Sequence, residues 1–83
     1  MKPVVLTTHA ATVVAERGLD IAWVERTANE PDWTMPDADP RLERRFKAVP
    51  ERDGRMLRVV CYETDDAIYV VTAFLDRRAR RPT

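Results

Sequence analysis

The sequence predicts a two-layer α+β domain: a short N-terminal strand, a helical hairpin, then a three-stranded antiparallel meander. Three observations carry this reading. Two early stretches, around residues 9–17 and 21–28, repeat apolar residues at spacings of three and four behind capping residues. Three later stretches, between residues 41 and 76, alternate apolar and polar residues and are separated by turn residues. Two amphipathic helices need one sheet face to cover, which makes a two-layer arrangement.

Each element follows from local chemistry. The β-branched run of residues 3–6, "PVVL", reads as a first strand extending to Leu6 or Thr7. Thr8 is expected as N-cap, its hydroxyl accepting a backbone N–H of the first turn, which makes His9 the first helical residue. The helix then runs to Arg17 with Ala10, Val13 and Val14 on one face. Gly18 enters the left-handed region without a Cβ penalty and ends it. Asp20 caps a second helix from Ile21 to about Ala28, with Ile21, Val24 and Ala28 in one stripe. Three prolines and four acids between Asn29 and Pro40 predict a loop, with room for one edge strand around Trp33 to Met35. In "RLERRFKAVP", Leu42, Arg44, Phe46 and Ala48 share one face, and Glu43, Arg45 and Lys47 the other. Asp53-Gly54 closes a hairpin turn into "RMLRVVCYE", and Thr64–Asp66 turns into "AIYVVTAF".

The chain has 83 residues, enough for one small domain, expected over residues 1–76 with a basic tail at 77–83. At 45% hydrophobic residues it can build a core. One cysteine excludes an internal disulfide and a cysteine-rich zinc site, and fits a cytoplasmic protein. No apolar run reaches the roughly 18 residues of a membrane span, so no membrane partner is expected. Only Gly18 and Gly54 are glycines, so there is no glycine-rich phosphate loop, and the acids around Asp32 lack the ligand spacing of a calcium turn. No cofactor or metal is expected. Cys61 reads as a buried small apolar residue, and Trp23 and Trp33 as packing residues.

The set Leu57, Val59, Cys61, Ile68, Val70 and Phe74 is the expected core face. The opposite face then carries Arg45, Lys47, Arg58, Tyr62 and Tyr69 beside Val60 and Val71. Cations and tyrosines on an open sheet suit base stacking and phosphate pairing, although such residues also favour strands for packing reasons alone. Net charge is zero, but residues 1–40 carry three basic and seven acidic residues, and residues 41–83 eleven and seven. Arg77, Arg78, Arg80 and Arg81 close the chain. This asymmetry fits either a polyanionic partner or a solvated tail.

The opening, with Thr7, His9, Ala10, Arg17, Gly18 and Leu19, and the closing strand, with Val70, Val71, Thr72 and Phe74, resemble an uncharacterised small bacterial domain family. That family is allied to the RelE/ParE toxin superfamily, and the end "TAFLDRRARR" is similar to the BrnT branch. The chain departs from many relatives in one respect: Thr12 and Val13 stand where they carry an arginine one turn after the histidine, and if that arginine binds phosphate in relatives, this chain has either lost it or replaced it with Arg17. The resemblance implies a RelE-like fold and a metal-independent endoribonuclease that uses the RNA 2′-hydroxyl as nucleophile. Such a reaction needs a proton acceptor and donor, and cations for the charged phosphorane. His9 and Arg58 are then the catalytic candidates, and Arg45, Lys47, Tyr62, Tyr69 and Arg77 the RNA contacts. For His9 a structural role, its ring pegging the helix to a neighbouring element, stands beside the chemical one. The alternatives are a non-catalytic RNA- or ribosome-binding module, and a protein-interaction domain that pairs with an antitoxin-like protein or with itself.

Overall fold

The computed structural model describes residues 1–82. Strand β1 (Val4–Leu6) leads into helices α1 (Thr8–Glu16) and α2 (Ile21–Asn29). Strands β2 (Trp33–Pro36), β3 (Glu43–Val49), β4 (Arg55–Glu63) and β5 (Ile68–Leu75) follow. They form one five-stranded mixed sheet in the order β1-β5-β4-β3-β2, with both helices on one face. The expected three-stranded sheet is thus extended at both edges. The edge strand anticipated at Trp33 pairs antiparallel with β3, and β1 pairs parallel with β5.

The helix ends obey capping chemistry, with one correction. The N-cap of α1 is Thr7, not Thr8: its hydroxyl accepts the Ala10 N–H at 3.1 Å. His9 is therefore the second helical residue. Thr7 wins because β1 runs through Leu6 and the Thr7 N–H still donates to the Val70 carbonyl at 3.0 Å. At the other end Gly18, at φ +63°, completes a two-bond cap: Gly18 N–H donates to Ala15 and Leu19 N–H to Val14. The motif also folds Leu19 back onto Val14 in the core. Asp20 caps α2 by accepting the Ala22 N–H at 2.9 Å. Asn29 ends α2 and exchanges side-chain hydrogen bonds with both backbone groups of Lys2, tying the helix to the start of β1.

The core lies between helices and sheet. Ala10, Val14, Leu19, Val24 and Ala28 meet Val49, Leu57, Val59, Cys61, Ile68, Val70 and Ala73. Each fully buried Val, Leu or Ile contributes about 1.5–3 kcal/mol. One irregularity reorganises it. Cys61 pairs with Val70 but Val60 pairs with Thr72, so Val71 is an extra residue in β5. This bulge reverses the alternation beyond it. Ile68 and Val70 face the helices as expected, but Ala73 rather than Thr72 continues the core, and Phe74 passes to the other face.

A second correction concerns β3. Cross-strand partners in an antiparallel sheet share a face, and Arg45 lies opposite Val59 and Lys47 opposite Leu57. Arg45 and Lys47 therefore stand on the helix-covered face, and Arg44 and Phe46 on the open one. The alternation along β3 is as expected, but its two faces are exchanged.

Candidate nucleic-acid interface

The open sheet face is built from alternate residues of four strands. Tyr62 and Tyr69 pair across β4 and β5 with rings stacked at 5.0 Å and 12°. Trp33 of β2 stacks on Phe46 of β3 at 4.8 Å and 8°. Between these pairs lie Arg44, Val60 and Arg58, with Phe74 opposite Arg58. The Arg58 guanidinium carbon sits 5.0 Å from the Phe74 ring centroid, a cation–π contact. The Arg58 Nε and the Trp33 Nε1 are buried donors without an acceptor among the described residues.

Both cations of this face carry a carboxylate. Arg44 Nε donates to Asp37 at 2.7 Å, which holds the Asp37 carboxyl below its usual range, and Arg58 Nη1 donates to Asp76 at 3.3 Å. The face is therefore aromatic and close to neutral.

Arg45 and Lys47 are occupied elsewhere. The last carbonyls of a helix lack intrahelical partners. Arg45 Nη1 donates to Ala28 at 2.6 Å and Lys47 Nζ to Glu30 at 2.7 Å, so the two cations close the C-terminus of α2. Arg45 also donates to Glu43 and Glu63 at 3.0 and 2.8 Å. Burial works against its charge, but the carboxylates outweigh burial and its pKa is raised. Neither residue is presented to a ligand on the open face.

His9 is exposed on the first turn of α1. Its ring has no hydrogen-bond partner among the described residues, so the expected peg is not made. Helix α1 is held by Thr7 and by its buried face of Ala10, Val13 and Val14. His9 belongs to the helix layer, beside the Val70 end of β5, whereas Arg58 lies on the opposite sheet face. The structure does not bring the two together.

The ion pairs divide the cations into two groups. Of the 14 cationic side chains, Lys2, Arg26, Arg41, Arg44, Arg45, Lys47 and Arg58 have carboxylate partners. Among the described residues Arg17, Arg52, Arg55, Arg77, Arg78, Arg80 and Arg81 have none. All seven sit at one end of the sheet, which collects the C-terminus of α1, the β3–β4 turn and the end of β5. The Asp76 N–H donates to Met56 at 2.8 Å, turning the tail alongside the start of β4. Arg77 and Arg80 line a cleft there with Gly54, Arg55 and Met56. Arg81 lies near enough to Asp32 to help lower its pKa, after the Ala48 N–H and Lys47.

Of the residues expected to bind RNA, Tyr62 and Tyr69 share the open face and Arg77 lies at the arginine-rich end. Arg52 and Arg55 are not among those candidates, and Arg17 enters the sequence reading only as a possible replacement for the relatives' helix arginine. A signal existed: Arg52 and Arg55 flank the Asp53-Gly54 turn, and Arg17 precedes the Gly18 cap, so all three project from chain reversals.

The remaining chemistry is sparse. Cys61 is buried, and burial pushes its thiol pKa up to about 11, the opposite of an activated nucleophile. Among the described residues no three His, Cys, Asp or Glu side chains gather as a metal would require, and no helix is long and apolar enough to cross a membrane.

The sequence profile of the family described as "Domain of unknown function (DUF4258)" matches residues 6–75, and the protein belongs to that family. No curated protein and no solved structure matches the chain.

Proposed function

We propose that the protein is a non-catalytic RNA-binding module on a RelE-like scaffold, binding single-stranded RNA at its arginine-rich end and along the open sheet face. The observation that carries this is the clustering of seven arginines that, among the described residues, have no carboxylate partner, at one end of a sheet whose helix-free face bears the stacked rings of Tyr62 and Tyr69. Unpaired arginines are the groups that exchange counterions for phosphates, and aromatic rings stack on bases whatever their identity. A solvated surface would scatter unpaired cations among paired ones rather than gather them all at one pole. The endoribonuclease reading is weaker on this geometry. His9 and Arg58 stand on opposite layers, and Arg58 already holds Asp76.

The test is a salt titration of binding to a fluorescent single-stranded RNA, with the RNA then run on a denaturing gel in EDTA. Seven engaged arginines give a slope of log K against log salt of about −5, and changing Arg77, Arg78, Arg80 and Arg81 to glutamine lowers it by about 3. The RNA is recovered intact. Absence of binding at low salt refutes the module. Cleavage that leaves 2′,3′-cyclic ends and disappears in His9→Ala restores the ribonuclease.

A further inference from the structure

We infer that the cleft between the end of α1 and the β3–β4 turn is a phosphate-monoester site, and that its ligand is the 5′-phosphorylated end of an RNA strand. The inference rests on the RNA-binding reading above and adds a specific end to it.

The cleft has a volume of about 330 Å³ and is lined by Arg17, Leu19, Arg52, Arg55, Phe74 and Leu75. Three arginines thus line one concavity from three separate elements. Two are held in place by contacts that leave their charge uncompensated. Arg17 Nη1 donates to the Ala73 carbonyl at 2.7 Å, and its guanidinium carbon lies 5.8 Å from the Phe74 ring centroid. Arg52 lies 5.9 Å from the Trp23 ring centroid. Arg55 projects from the first residue of β4 and is half-buried. Nearby acids are engaged elsewhere: Glu51 with Arg26, Asp20 with the Ala22 N–H, and Asp76 with Arg58. Among the described residues no carboxylate, including those of Glu16 and Asp53, comes within 4.0 Å of the three guanidiniums.

Three like charges around one small cleft repel each other, and an anion bound between them relieves that repulsion. A phosphate monoester fits better than an internal phosphodiester. It carries a charge of about −1.5 to −2 at neutral pH, with three strong acceptor oxygens, against one charge on the diester. Guanidiniums match such oxygens in paired geometry. Phe74 belongs both to the cleft and to the open face, where it meets Arg58. A strand whose terminal phosphate sits in the cleft is therefore led past Phe74 onto the aromatic face. That continuity favours a nucleic-acid end over a phosphorylated protein segment, which has no use for stacked rings.

The experiment compares two RNA oligonucleotides of one sequence, one with a 5′-monophosphate and one with a 5′-hydroxyl. Binding is measured at fixed salt to the whole protein and to Arg55→Gln and Arg17→Gln, each first shown to be folded by its thermal transition. The phosphorylated strand is expected to bind about tenfold tighter, the effect of one charge-assisted contact of roughly 1.4 kcal/mol, and both variants remove the difference. Equal affinity for the two strands overturns the cleft assignment and leaves the RNA-binding reading standing. A companion arm adds adenosine 5′-monophosphate and a phosphoserine peptide and follows the thermal midpoint. If neither RNA binds but adenosine 5′-monophosphate raises the midpoint of the protein and not of Arg55→Gln, the RNA reading fails and the monoester site survives it. If the peptide alone does so, the site is real and its assigned source is overturned. No response in any arm overturns both.

Discussion

Replacing Arg45 by methionine separates a structural cation from a ligand-binding one. Methionine keeps an unbranched stem across Val59 but removes every donor. The Nη1 bond to Ala28 is buried and 2.6 Å long, and a hydrogen bond to a charged donor is worth about 1.5–3 kcal/mol. The Glu43 and Glu63 side chains are 40% and 37% exposed, so solvent screens those pairs and the buried bond to Ala28 dominates the loss. Glu63 also keeps Lys2 at 2.6 Å. The net loss is about 2–4 kcal/mol, a large share of the roughly 5 kcal/mol expected for a small domain. With an m-value near 1 kcal/mol/M, the urea midpoint drops by about 2 M or more. Unfolding is followed by the fluorescence of Trp23 and Trp33, and RNA affinity is measured below the transition. Lys47→Met, which loses the Glu30 carbonyl and a 3.4 Å contact to Asp32, costs about 1 kcal/mol. An unchanged midpoint in Arg45→Met, together with weakened RNA binding, would sink the assignment of Arg45 to the covered face.

Three further outcomes follow from other parts of the molecule. Ala73 is fully buried beyond the Val71 bulge while Thr72 faces outward. Ala73→Leu therefore overpacks the core and costs about 1–3 kcal/mol, and Thr72→Leu stays within about 0.5 kcal/mol; denaturant midpoints in the reverse order would move the bulge. Lys2 first and then Arg45 hold the Glu63 carboxyl below its ordinary value of 4.5. A depressed carboxylate pKa stabilises the folded state fully above the unfolded value and loses that contribution as pH falls through the folded one. Stability therefore declines below about pH 4.5, and Glu63→Gln makes the decline shallower; parallel curves for the two proteins would show that Glu63 is not linked to folding. Cys61 is buried with its thiol pushed up to about 11, so iodoacetamide at pH 8 labels it at the rate of unfolding; rapid labelling of the native protein contradicts its place in the core.

The features legible along the chain are those decided by neighbours a few residues apart. Gly18 ends a helix, Asp20 starts one and Asp53-Gly54 reverses the chain, each by backbone geometry or short-range hydrogen bonds, so their positions could be read directly. The apolar spacing in α1 and the alternation in β3 and β4 are similarly local, whereas in α2 Ile21 is exposed and Thr27 joins Val24 and Ala28 in the buried stripe. Even the shift of the first cap from Thr8 to Thr7 is small, because two adjacent threonines offer the same hydroxyl.

What the tertiary structure alone decides is which way alternating residues point and what they meet. A strand has a period of two, so either assignment of its faces satisfies the pattern. For β3 the choice was made by α2, whose C-terminal carbonyls at Ala28 and Glu30 lie within reach of Arg45 and Lys47. A single unpaired residue, Val71, exchanged the faces of everything after it in β5, and nothing in "AIYVVTAF" marks it off from its β-branched neighbours. The arginine cluster has the same origin. Arg17, Arg52, Arg55 and the tail are far apart in the chain, and only the packing of α1 against β5 and the fold of the β3–β4 turn bring their charges to one end. Composition could announce an excess of arginine; the tertiary structure determined which arginines are neutralised and which, among the described residues, have no carboxylate partner.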